Sequence, residues 1–190
     1  MGTINQTIEN FLEDLSSSSH APGGGSVAYL SAAFAASLTS MVCQISSKKP
    51  EFNSFITDAN ILNQLIALTN YFSNGVDRDI QIFNDIMNTI KSKRHYDLVY
   101  VGACEESLDV IYHLRLLADI NVSIYQRCSK SLISDIKASG AQIIACVKII
   151  QYNFESNVKA IETGFIKNNL IKDFTNETNS LLEYLEICFD

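Results

Sequence analysis

Residues 22–47 read PGGGSVAYLSAAFAASLTSMVCQISS, and this stretch decides the fold. Leu30, Phe34, Leu38, Met41 and Ile45 recur at helical spacing as a bulky stripe. Ala28, Ala32, Ala35, Ala36, Thr39 and Cys43 fall roughly opposite, at about 100° per residue. Bulky side chains on one side and small ones on the other predict a central helix packed on both faces, since small residues let another backbone approach closely. Ser26 is placed to N-cap it. Lys48 and Lys49 suit the negative end of its dipole, and Pro50 ends it. Residues 21–47 carry no charge, but the interrupting Ser, Thr and Gln side chains favour a buried helix over the roughly 20 predominantly apolar residues of a membrane span.

Outward from that helix the same periodicity continues. Ile4, Ile8, Phe11, Leu12 and Leu15 predict a short amphipathic helix before it. A long pattern from about Phe55 to Lys91 follows, through Ile61, Leu65, Leu68, Phe72, Val76, Ile80, Phe83, Met87 and Ile90, with Asn74-Gly75 as its candidate break. Further helices are expected over 97–120, 135–161 and 168–187, with a shorter segment near 121–132. With two prolines and no alternating hairpin pattern, the expectation is an all-α multihelical bundle of long helices, one domain over residues 1–190.

Composition narrows the function. Charged residues make up 18% of the 190, against a usual share of about 25%. Together with the two-faced helix, that shortage predicts a homodimer. The net charge of −7 argues against nucleic acid and anionic membranes. The one basic cluster, Lys91 to His95, is large enough only for a small anion. Five scattered cysteines without a C-x-x-C pair suggest neither disulfides nor a metal site, and point to a reducing cytoplasm. The acidic first 19 residues do not read as a signal peptide.

Candidate chemistry gathers at few positions. Gly23, Gly24 and Gly25, ahead of a helix, leave backbone N–H groups to face an anionic or carbonyl oxygen; a flexible turn explains them equally. Asp79 lies within the apolar stripe between Val76 and Phe83, so it is either paired inside the fold or held for proton transfer. Asp77 lies off that stripe. Asp135, Asn153 and Asn157 share one helix face, but Asp135 and Asn153 stand about 27 Å apart along its axis. An antiparallel second copy would bring one chain's Asp135 near the other's Asn153; alternatively Ser134-Asp135 caps its helix. His20, His95 and His113 show no ligand-like or triad-like spacing.

The stretch Phe11–Val42, FLEDLSSSSHAPGGGSVAYLSAAFAASLTSMV, resembles the opening of the cyclodeaminase/methenyltetrahydrofolate cyclohydrolase domain of the formiminotransferase-cyclodeaminase family. VDRDIQIF at 76–83, Ser134-Asp135 and Asn153-x-x-x-Asn157 follow in the family's order. The resemblance implies an all-helical homodimer that opens the methenyl ring of a tetrahydrofolate with water, or closes formiminotetrahydrofolate with loss of ammonia. It implies no permanently bound cofactor. Cyclohydrolase is the expected activity, because no formiminotransferase domain accompanies the chain. A helical folate-binding or interaction module without turnover is the alternative. On this resemblance Gly23, Gly24, Gly25 and Ser26 cradle the folate, Asp79 transfers the proton with Asp135 as second candidate, and Asn153 and Asn157 supply amide hydrogen bonds. The chain departs from its relatives at Thr89-Ile90-Lys91, where Leu-Pro-Lys and a longer basic connection are usual, and at Leu108-Asp109, where Val-Pro is. His20 and Tyr29 replace commonly small residues.

Overall fold

A computed structural model describes residues 3–92 and 97–189, and among them every regular element is helical. Helix α1 spans Ile8–Ser16, α2 Gly24–Ser46, α3 Pro50–Asp58, α4 Ile61–Ser92, α5 Asp97–Tyr125, α6 Ile133–Lys159 and α7 Gly164–Phe189. Lys93, Arg94 and His95 of the basic cluster lie outside the described residues, as does the Ile4 side chain. Helix α2 is the axis of the bundle, packed on α4 and on α6; α5 packs against α6, and α7 covers both.

The small-residue stripe explains that packing. Ala28, Ala32, Ala35 and Ala36 are fully buried, so the backbones of α4 and α6 come close on either side. The bulky stripe is the one that differs from expectation. Much of it lies outside the core: Phe34, Met41 and Ile45 are exposed and Leu38 half-buried, while Leu30 packs in part against the core. Helix α2 is long and apolar enough to cross a bilayer by length and composition, with one face taken up inside the fold.

Other boundaries also move. The long third pattern is two helices, broken at Ala59–Asn60, where Asn60 takes a positive φ of 51°. Asn74-Gly75 does not break α4, because Gly75 is where the Tyr29 ring crosses it; a Cβ there would stand 2.0 Å from a ring carbon. Leu98-Val99-Tyr100-Val101 is helical, and α5 runs on to Tyr125, absorbing much of the segment expected near 121–132. Pro50 opens α3 at its first turn, where its missing N–H costs nothing. Along α1 only Phe11 is buried, and Ile8 and Leu12 face outward.

Asp97, at the start of α5, ties down the α6–α7 turn. Its carboxylate accepts from the Glu162 N–H at 2.8 Å, the Thr163 N–H at 3.0 Å and the Thr163 hydroxyl at 2.5 Å. Charge-assisted bonds to a buried carboxylate are the strong ones. Asp97→Ala is therefore expected to cost about 2–3 kcal/mol in urea denaturation; a loss under about 0.5 kcal/mol would show the turn to be held by apolar packing alone.

Candidate active site

Four helices and one loop enclose a cleft of about 400 Å³. The loop before α2 supplies His20, Ala21 and Gly23, and the first turn of α2 supplies Gly24 and Gly25; α6 supplies Asn153, Ser156 and Asn157; α4 supplies Asp79 and an apolar wall. Phe83, Met87 and Ile90 of that wall belong to the stripe read from the sequence, and Ile82 and Ile86 join them from beside it. Leu65, Phe72 and Val76 are buried in the core, whereas Ile82, Phe83, Ile86 and Met87 are half-buried and line the cleft with Tyr100 of α5. One side of the cleft is thus flat and apolar, the other a row of backbone and amide groups.

Helix α2 begins three residues earlier than its sequence suggests. Gly23 is the N-cap in extended conformation, and the first helical hydrogen bond runs from the Val27 N–H to the Gly23 carbonyl at 3.1 Å. Ser26 therefore does not cap the helix. It falls inside the first turn, fully buried, and donates its hydroxyl to Asp79 Oδ2 at 2.8 Å. The capping is done instead from α4: the Asp79 carboxylate sits at the positive end of α2, where first-turn N–H groups lack helical partners.

Gly25 makes this approach possible. A Cβ on it would lie 1.9 Å from Asp79 Oδ1 and 2.8 Å from Asn153 Nδ2, so carboxylate and amide both lean over the bare backbone. Gly24, by contrast, has room: its Cβ would meet Ile149 at 3.8 Å and Asn153 Oδ1 at 3.9 Å, ordinary contacts. The close approach of side chains to bare backbone thus falls at Gly25 and not at Gly24.

Burial pushes the Asp79 carboxyl above the usual carboxylate range. The Ser26 hydroxyl and N–H pull in the opposite direction, and the negative charge of Glu106 adds to the rise. A carboxyl so held keeps its proton more readily than a solvated one, which suits it to proton transfer.

Of the residues singled out in the sequence, the fold brings Gly23, Gly24, Gly25, Asp79, Asn153 and Asn157 to one cleft, with Ser26 behind Asp79. Asp135 is not among them. It lies in the first turn of α6, near the end opposite Asn153 and Asn157, and that helix starts at Ile133 with Leu132 rather than Ser134 at its N-cap position. Asp77 accepts the Thr3 N–H at 2.8 Å and does not line the cleft. His20, passed over for want of a partner at suitable spacing, stands at the cleft's edge with its ring centroid 6.1 Å from that of Phe83. Among the described residues no three His, Cys, Asp or Glu side chains gather as a metal site would require.

Comparison with known proteins adds three findings. A sequence profile of the formiminotransferase-cyclodeaminase family matches residues 7–176. The methenyltetrahydrofolate cyclohydrolase of Methylorubrum extorquens is 32% identical over 94 residues, which take in 49% of this chain and 45% of that relative, so the match spans less than half of the relative's length. The crystal structure of a formiminotetrahydrofolate cyclodeaminase from Thermotoga maritima superposes with a TM-score of 0.84 over 97% of this chain and 92% of its own; at 21% identity it speaks for the fold.

Proposed function

The chain belongs to the formiminotransferase-cyclodeaminase family, and from that premise we propose that its cleft works on the one-carbon unit bridging N5 and N10 of tetrahydrofolate. One observation carries the proposal. Asp79 is a half-buried carboxyl with one oxygen fixed by Ser26 and the other leaning over Gly25 into a cleft with one apolar and one amide-lined wall. Flat, heteroaromatic and rich in ring nitrogens, the pterin suits such a pair of walls.

The favoured reaction is hydrolysis of 5,10-methenyltetrahydrofolate to the 10-formyl form, in keeping with the name of the cyclohydrolase relative. The bridging carbon is a formamidinium cation, so an ionised Asp79 both stabilises it and takes a proton from the attacking water. The new C–O bond forms, and Asp79 returns the proton to N5 as the C–N5 bond breaks. The carbinol O–H releases its own proton to solvent as it becomes the formyl C=O, so the cation and water give a neutral product and one proton. In the cyclodeaminase direction N10 attacks the formimino carbon and the same carboxyl protonates the departing ammonia. Gly23 and Gly24 offer backbone to the substrate, and Asn153 and Asn157 offer amide hydrogen bonds. No permanently bound cofactor enters this scheme, and a reducing cytoplasm suits the free cysteines.

Purified protein assayed side by side for loss of methenyltetrahydrofolate and for ammonia release from formiminotetrahydrofolate tests the reading. Hydrolysis well above the spontaneous rate is expected. Tight folate binding with neither reaction would favour the folate-binding module without turnover.

The working form in this proposal is a homodimer. Its support is the outward stripe of α2, where Phe34 is 44%, Met41 36% and Ile45 44% exposed; a run of large apolar side chains on one face marks a contact surface. Asp135 would enter a site only across that dimer, from the second copy. Phe34→Asp is expected to convert a dimer to monomer in sedimentation analysis at micromolar protein, and a wild-type monomer under those conditions would end this part of the proposal.

A further inference from the structure

Behind Asp79, on the side away from the cleft, three helices converge on one carboxylate. Glu106 of α5 does not line the cleft; it faces the neighbouring groove between α4 and α5, with Ile82 common to both spaces. One oxygen of Glu106, Oε1, accepts from the Tyr29 hydroxyl of α2 and from Arg78 Nε of α4, the latter at 3.0 Å. Ser26, which holds Asp79, and Tyr29, which holds Glu106, lie three residues apart on the buried side of α2 and so present themselves on adjacent turns. Arg78 and Asp79 are neighbours on α4. Asp79 and Glu106 thus each accept a hydrogen bond from adjacent turns of the buried side of α2.

The two donors to Glu106 are themselves held in their donating forms. Arg78 is pushed further towards its charged form by the Glu106 hydrogen bond, the Tyr29 ring and the Glu106 charge, against the cost of burial. The Tyr29 phenol is driven far upward by burial and by Glu106, so it stays a donor at any working pH. Arg78 in turn lies over the Tyr71 ring, 4.4 Å from its centroid, and Tyr71 donates to Asp109 at 2.5 Å while stacking on His113. Tyr29 and Asp109, two of the positions at which this chain departs from its relatives, belong to this one cluster.

We propose that Glu106, clamped by Tyr29 and ion-paired with Arg78 in the neighbouring groove, is a positioning residue that acts through Asp79. The inference rests on the reading of Asp79 as the proton carrier. Around Asp79 stand Ser26 of α2, bonded to it, Asn153 of α6, which meets it over Gly25, and Glu106 of α5, with His20 in the lining of the same cleft. Glu106 is the negative charge whose pull on the Asp79 carboxyl is resolved. Like charges brought together raise the proton affinity of the more buried one.

Carbon-13 NMR titration of the Asp79 carboxyl in the intact chain reads this without any turnover, so its outcome stands apart from whether either folate reaction occurs. Glu106→Gln keeps an oxygen to accept from Tyr29 and Arg78 but removes the charge. The Asp79 midpoint is expected to fall by ~0.5–1 pH unit, and the acidic limb of kcat/KM to fall with it. Glu106→Asp, which keeps the charge, should leave the midpoint near wild type. An unchanged midpoint in Glu106→Gln, or equal shifts in both variants, overturns the proposal. Should Glu106→Gln fail to fold, salt on the wild-type chain decides: from ~0.05 to ~1 M the Asp79 midpoint should drop more than that of Asp77, and equal drops overturn it.

Discussion

Asp79→Asn is expected to lower kcat by about 10²–10⁴-fold, the usual contribution of a positioned acid or base, while the protein becomes no less stable. The two halves belong together. The amide can still accept from the Ser26 hydroxyl, so the 2.8 Å contact survives and the fold keeps its shape. The wild-type carboxyl, its proton affinity raised by burial, favours folding while protonated and withdraws that contribution as pH rises through its folded-state midpoint. The asparagine variant has no such dependence. Its melting temperature should therefore match wild type at acid pH and exceed it once pH has risen through that midpoint. Asp77→Asn, whose carboxylate holds the Thr3 N–H outside the cleft, serves as control with kcat nearly unchanged. Full activity in Asp79→Asn, or a lower melting temperature at pH 8 accounting for the loss, would return Asp79 to a structural role.

Gly25→Ala should be nearly as damaging by a different route. Its new methyl group would occupy the place of Asp79 Oδ1, 1.9 Å away, and crowd the Asn153 amide at 2.8 Å. Neither neighbour can yield by a few tenths of an ångström, so the carboxyl must leave its place over the α2 N-terminus. A displacement of about 1 Å at a reacting group costs on the order of 10²-fold, and kcat/KM should fall by at least that much. Gly24→Ala, with ordinary contacts near 3.8 Å, should keep kcat and change KM alone. Equal kcat losses in the two variants would mean that the glycines act through loop freedom rather than through the close approach of Asp79.

The helical bundle was legible because the 3.6-residue period is strong along nearly every segment. Which face of α2 turns inward was not. Periodicity shows that Leu30, Phe34 and Leu38 share a side opposite the alanines, but not that α4 and α6 come close enough to claim the small side. Gly75 misled for a related reason: as a local signal it weakens a helix, and only the Tyr29 ring from 46 positions away along the chain explains why it is there. Ser26 looked like a cap because serine at a helix start usually is one, yet the glycines ahead of it extend the helix and Asp79 does the capping. The candidate site was legible where one residue contradicted its surroundings, as Asp79 did within an apolar stripe. Glu106 and Arg78 gave no such signal, being ordinary charged residues whose partnership exists only once α4 and α5 are side by side.

The central claim is that the cleft between α2, α4 and α6 holds the one-carbon end of a tetrahydrofolate beside Asp79. A crystal structure of the protein with a stable formyl-substituted tetrahydrofolate tests it most directly. The account predicts the pterin between the apolar wall of Ile82, Phe83 and Ile86 and the amides of Asn153 and Asn157, with the formyl carbon within one water of the Asp79 carboxyl. A folate bound in the groove between α4 and α5, with the Asp79 cleft empty, would contradict it.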